Sequence, residues 1–199
     1  MQIEIRADHA IIKGYVNAIE RDSRELYDSE GTFVEQVRAG TFGKAIQSNS
    51  NIFGLLNHAK KRILGETGKN LKLKEDNIGL YAEIRVTDQE VIQKARKNKL
   101  MGWSFGFIPK KQSWGKTDSG IRRRYLEEIE LKEVSILDDT RTPAYFGTSI
   151  ETRDDKNEYV EFRCIDDDLE IVIDEQRQLE KEELERELKL KLLNLELEL

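Results

Sequence analysis

The stretch Met101-Gly-Trp-Ser-Phe-Gly-Phe107 alternates large aromatic residues with glycine and serine. Successive side chains of a strand point to opposite faces. Trp103, Phe105 and Phe107 therefore share one face, and Gly102, Ser104 and Gly106 share the other. The aromatic face is suited to anchor the strand in a core. The opposite face is bare except for one hydroxyl, which leaves room for a second backbone to approach. Taken alone, this pattern suits a small-residue strand with a closely packed neighbour better than it suits an active site.

Similar signals occur on both sides of this stretch. Ile3 and Ile5 alternate with Gln2, Glu4 and Arg6 as in a half-buried strand, and 14–19, 52–58, 62–66, 79–86 and 121–137 are further β-prone runs. Two helices interrupt them. One is expected to start at Thr41, whose hydroxyl can cap the first turn. The other is expected to start at the capping box Thr87-Asp-Gln-Glu90 and to run to about Lys99, with Lys94, Arg96, Lys97 and Lys99 near the negative end of the helix dipole. Many short strands with two helices predict an α+β fold whose core is mostly antiparallel and barrel-like.

Of the 199 residues, 38% are apolar, enough to fill a core, and 36% are charged, which points to a part outside it. The net charge of −6 conceals a split. Residues 151–199 carry 18 acidic and 8 basic side chains, whereas 1–150 carry 21 and 25. The chain is thus read as one domain over 1–150 and an acidic tail over 151–199. From about Gln176 the tail is rich in Leu, Glu and Lys. Leu184, Leu188, Leu192, Leu195 and Leu199 have helical spacing, yet the final leucines also alternate at period two, so helix, strand and disorder stay open there. A single cysteine, Cys164, excludes an intrachain disulfide and suits a reducing, intracellular setting. The first ten residues lack the apolar segment of a signal peptide, and no apolar run approaches the roughly 20 residues that span a bilayer.

Gly102-Trp-Ser-Phe-Gly106 matches the Gly-x-Ser-x-Gly nucleophile elbow of α/β-hydrolases, but that assignment fails on two counts. The elbow needs a strand, a turn and a helix, and Phe107-Ile-Pro-Lys-Lys-Gln112 leads to another strand-like segment. Its histidine also follows the serine, and no histidine follows Ser104. A base must then come from His9 or His58. His9 sits beside Asp8 and reads as a surface residue, whereas His58 ends the apolar run Ile52-Phe-Gly-Leu-Leu-Asn-His58. Taken alone, a core histidine with a satisfied hydrogen bond explains that position better than a catalytic base does. A base also needs a partner that orients it. Along 129–137, unbroken alternation puts Glu133 on one face with Ile129, Leu131, Ser135 and Leu137, where a carboxylate is costly unless paired. Glu130 is the fallback and points the other way. Arg122-Arg-Arg124 reads as a solvated strand edge rather than a nucleic-acid site. No phosphate loop, metal-binding motif or cofactor motif is present, so neither metal nor cofactor is expected.

In this combination the chain resembles the tailed-phage prohead protease family, serine peptidases of capsid maturation distantly related in fold to the herpesvirus assemblins. The matching pieces occur in family order: Gly14-Tyr15, Val34-Glu35, Ala39-Gly-Thr-Phe42, Leu55-Leu-Asn-His58, Ile63-Leu-Gly65, Gly79-Leu80, Met101–Phe107, Glu130-Leu-Lys-Glu-Val-Ser135 and Pro143-Ala-Tyr145. The resemblance implies Ser104 as nucleophile, His58 as base and Glu133 as third member. The herpesvirus relatives use a second histidine there, and this chain offers none downstream. Backbone donors for the oxyanion are sought near 138–143. The implied substrates are a scaffold protein, the major capsid protein precursor and the enzyme itself, cut inside the prohead in the host cytoplasm. A homo-oligomer is compatible with it; nucleic-acid and membrane partners are not expected. The competing expectations are an inactive assembly or scaffolding protein on the same fold, and a small-ester hydrolase.

Overall fold

The computed structural model describes residues 1–140 together with strands at 161–165 and 170–173. Strands β1 (Gln2–Ile5), β2 (Ala10–Ala18), β7 (Leu71–Glu75), β8 (Gly79–Val86) and β12 (Glu170–Ile173) form one sheet in the order β12-β1-β2-β8-β7. A second sheet holds β3 (Leu26–Asp28), β4 (Gly31–Val37), β9 (Leu100–Lys116), β10 (Arg122–Asp138) and β11 (Glu161–Ile165) in the order β11-β9-β10-β4-β3. Strands β5 (Phe53–Leu56) and β6 (Ile63–Glu66) join it through β5, which pairs with β10. The expected α+β class therefore holds, with two helices, α1 (Thr41–Ser48) and α2 (Gln89–Arg96).

No closed barrel forms among the described residues. Among these, no ladder joins the two sheets. Within the second, one edge of β10 pairs antiparallel with β9 along its length; the other carries β4 at Arg122–Leu126 and β5 at Glu133–Ile136, both parallel to it. The two sheets instead enclose one core. Ile3, Ile5, Ile12, Leu80 and Ile84 of the first sheet meet Trp103, Phe105, Phe107, Val134 and Ile136 of the second. The aromatic face expected of β9 is wholly buried, and each such ring contributes about 2–3 kcal/mol by leaving water. Phe42 of α1 packs edge-on against Phe105, which stacks on Phe107. At Gly54 the two sheets approach closely, since a Cβ there would lie 2.6 Å from Cδ1 of Ile84.

α1 starts at Thr41 as expected but is capped differently, and α2 starts later than the capping box at Thr87 implies. The cap of α1 is Gly40, at φ 83°, in the left-handed region that glycine enters without a Cβ penalty. Its free N–H groups are met by Glu75 of β7, which accepts from Gly40 N at 2.6 Å and from Gly43 N. Thr41 is thereby released to donate to the carbonyls of Leu126 and Glu127, tying α1 to β10. In α2 the cap is Asp88, one residue beyond Thr87; it accepts from the N–H groups of Glu90 and Val91. Glu90 closes no capping box and instead pairs with Arg62 and Lys94. The helix ends at Arg96.

β9 runs straight through Pro109, which lies opposite Ile129 where the ladder shifts register, a position at which a missing N–H costs little. Arg122-Arg-Arg124 is not a solvated edge, because β4 and β9 flank it on both sides. Arg122 pairs with Asp28 and Glu30, Arg123 with Asp22, and the buried Arg124 with the buried Glu35 at 3.2 Å. β11 and β12 come from the segment read as an acidic tail, and they pair with β9 and β1. The helix sought beyond Gln176 and the Pro143–Tyr145 piece lie outside the described residues. Among the described residues, no helix is long and apolar enough to cross a membrane.

Candidate active site

Ser104 lies in β9 directly opposite Ser135 of β10, and Gly106 lies opposite Glu133. Residues opposite one another in a ladder share a face, so Ser104, Gly106, Glu133 and Ser135 stand together on the side away from the aromatic core. On the far edge of β10, Leu55 of β5 pairs with Ser135. Leu55 and Leu137, opposite Gly102, add buried apolar surface to the same face.

Glu133 reaches this face through a departure from simple alternation. The β9–β10 register shifts between Leu131 and Glu133, with Lys132 as the extra residue. A bulge of one residue reverses the parity of everything beyond it. Leu131 therefore sits opposite Phe107 on the core face, while Glu133 joins Ser135 and Leu137 opposite Gly106, Ser104 and Gly102. This corrects the expectation that Glu133 shares a face with Ile129 and Leu131. The carboxylate is not embedded in the core; it lies on the bare face, still only 5% exposed.

His58 arrives from the end of β5. Asn57 N donates to Ile136 O at 2.9 Å, which extends the β5–β10 contact one residue past the strand. The chain then turns sharply: Asn57 has φ 55° and His58 φ 58°, two successive left-handed residues, neither of them glycine. Such backbone persists where the surroundings fix it. Here Asn57 Oδ1 accepts from Asp138 N at 3.0 Å, and His58 N donates to Ser135 Oγ at 3.1 Å. The turn presents the imidazole to Glu133, with Nδ1 2.7 Å from Oε1. Glu133 Oε2 accepts from the Ser135 hydroxyl. A carboxylate on Nδ1 makes that nitrogen the donor.

Asp138 supports the turn from below. It is buried, and its carboxylate accepts from Lys94 Nζ and from the backbone and hydroxyl of Thr140. Burial works against its charge, yet the hydrogen bonds of Lys94, Thr140 and Asn57 outweigh that and hold its carboxyl far below the usual carboxylate range. The Lys94 ammonium is held above its ordinary value, chiefly by the bond to Asp138.

The other residues singled out in the sequence fall elsewhere. Glu130 pairs with Lys110 and Lys132. His9 bonds Asp8 at 2.7 Å in the turn between β1 and β2. In the loop considered for the oxyanion, the three described N–H groups are already engaged: Asp138 N by Asn57, Asp139 N by Lys99 O, and Thr140 N by Asp138. Residues 141–143 of that loop lie outside the described residues. Among the described residues, no group of three or more His, Cys, Asp or Glu side chains is placed to hold a metal ion. The roles of the Asn57 amide, the Asp138 carboxylate and the Lys94 ammonium in holding the turn do not follow from the sequence; the one available signal is the position of Asn57 beside a candidate base.

A family model described as caudovirus prohead serine protease matches residues 1–162. No curated protein and no solved structure matches the chain.

Proposed function

This chain belongs to the caudovirus prohead serine protease family, and from that premise we propose that it is the endopeptidase of phage capsid maturation, with Ser104, His58 and Glu133 as its catalytic residues. The observation that carries the assignment is the His58 Nδ1–Glu133 Oε1 contact of 2.7 Å, on the ladder face that bears Ser104. Ser104 Oγ attacks the scissile carbonyl while His58 Nε2 takes its proton. Glu133 keeps Nδ1 protonated and offsets the positive charge that develops on the ring. As the tetrahedral intermediate collapses, the C–N bond breaks and His58 returns the proton to the leaving amine. Water, deprotonated by His58, then releases the acyl group and restores Ser104.

The substrates are a scaffold protein or the scaffold-like segment of the major capsid protein precursor, with self-cleavage in addition. The setting is the prohead in the host cytoplasm. The test is incubation with capsid precursor, read by mass spectrometry, beside labelling with a fluorophosphonate probe. Wild type is expected to cleave and to be labelled at Ser104, and Ser104→Ala is expected to do neither. Undiminished cleavage by Ser104→Ala removes the nucleophile. A chain that binds its partners, yet neither cleaves nor is labelled, is an assembly protein instead.

A further inference from the structure

Three hydrogen bonds around Glu133 form a closed circuit. His58 Nδ1 contacts Oε1 of Glu133 at 2.7 Å. Oε2 of the same carboxylate accepts from Ser135 Oγ. The same Ser135 oxygen accepts from the backbone N–H of His58 at 3.1 Å. The imidazole is thus held at both ends of its residue, by the carboxylate at the ring and by the hydroxyl at the backbone. The carboxylate and hydroxyl are in turn bonded to one another.

We propose that Ser135 is a positioning residue for the His58–Glu133 pair. The proposal rests on the assignment of Ser104, His58 and Glu133 given above, and it extends that assignment to a fourth side chain. Three features of Ser135 suit the task. It is fully buried, so no water competes for its hydroxyl. It lies inside the sheet, paired with Ser104 on β9 and Leu55 on β5, so its Cβ is fixed by strands on both edges. A hydroxyl has one proton and two lone pairs, which is what donating to Glu133 while accepting from His58 requires. The one proton is committed to Glu133. Ser135 can therefore present only lone pairs to any other group on this face, including the opposing Ser104, and it cannot be the base that activates it.

The strained turn explains why the backbone bond matters. With His58 at φ 58° and Asn57 at φ 55°, the residue that carries the base relaxes once its N–H is released, and the ring moves with it. Without the Ser135 hydroxyl, Oε2 of a 5%-exposed carboxylate also loses a donor, and Glu133 becomes free to rotate away from Nδ1.

The experiment compares wild type, Ser135→Ala and Ser135→Thr. Proton NMR reads the ring N–H of His58 that bonds Glu133, turnover of a capsid-precursor peptide gives kcat and KM, and thermal unfolding checks the fold. Ser135→Ala is expected to stay folded with a melting temperature lowered by several degrees, and to lose or broaden the ring N–H resonance. Its kcat is expected to fall about tenfold to a hundredfold with KM unchanged. Ser135→Thr, which keeps the hydroxyl, is expected to recover most of the resonance and the rate. A wild-type ring resonance and kcat in Ser135→Ala overturns the proposal, as does a loss that appears in KM and melting temperature together and that threonine does not restore. Wild-type protein that shows the ring resonance but never cleaves refutes the protease reading instead. In that case the resonance in Ser135→Ala still decides for or against Ser135 as the group that holds the pair.

Discussion

The two halves of the β9–β10 ribbon share a backbone ladder and treat charge in opposite ways. In the distal half, Lys110, Lys111, Glu127, Glu130 and Lys132 pair with one another in partial contact with water. Arg122 lies over the ring of the exposed Trp114, and only Arg124 with Glu35 is taken fully inside. In the proximal half one carboxylate, Glu133, sits on the Ser104 face and is met by an imidazole and a hydroxyl. The strand is the same; what differs is how much water reaches the charge. A screened carboxylate is replaceable because solvent takes over its bonds. A dry one depends on each partner, and holding those partners in place is what a catalytic dyad needs.

The sharpest way to break this contrast is Glu133→Gln. The amide is nearly isosteric but reverses which Nδ1 state the site favours. Fluorophosphonate labelling of Ser104 is therefore expected to slow by about three to four orders of magnitude. A wild-type labelling rate would make Glu133 one more buried structural carboxylate.

Next in size is Asp138→Asn, which takes the buried carboxylate from the partly exposed Lys94 and leaves its ammonium the exposed Glu90. A loss of about 2 kcal/mol in denaturant unfolding is expected at neutral pH. The pH dependence follows from the directions of the two shifts. The carboxyl of Asp138 is depressed in the folded chain, so its stabilisation is fully present above the ordinary carboxylate value and is lost as the pH falls through that range. The ammonium of Lys94 is raised, so its share is present below the ordinary lysine value and is lost as the pH rises past it. The difference between wild type and Asp138→Asn should be a plateau across neutral pH that declines at both ends. A difference that is flat from acid to alkali would separate the network from stability.

Smallest is Glu130→Gln in the distal half. Its partners remain solvated, so stability should change by less than about 0.5 kcal/mol and Ser104 labelling not at all. A large effect there would erase the distinction between the halves.

Much of this was legible in the chain itself. The alternation of Ile3 and Ile5, and of Trp103, Phe105 and Phe107, shows which residues enter the core, because burial of apolar side chains imposes period two on a strand. Gly31–Val37 and Leu71–Glu75 were not read as strands. The first buries Phe33, Val34 and Glu35 in a row, so it gives no clean apolar face, whereas the second alternates Leu71 and Leu73 with lysines and carries the same period-two signal as Ile3 and Ile5. From the sequence, Thr41 is the readiest cap in its own segment. The true partner, Glu75, is 35 residues from Gly40 and is supplied by a neighbouring strand.

The residue types at the site are readable along the chain: a serine between two glycines, one histidine at the end of an apolar run, and a carboxylate two residues before a serine. That they share a face is set by strand pairing. Alternation along 129–137 counts every residue once, whereas the ladder skips Lys132, and that single unpaired residue moves Glu133 from the side of Leu131 to the side of Ser104. Parity along a strand is a property of its pairing with a neighbour, and pairing is fixed by contacts across the sheet, not by the order of residues within the strand.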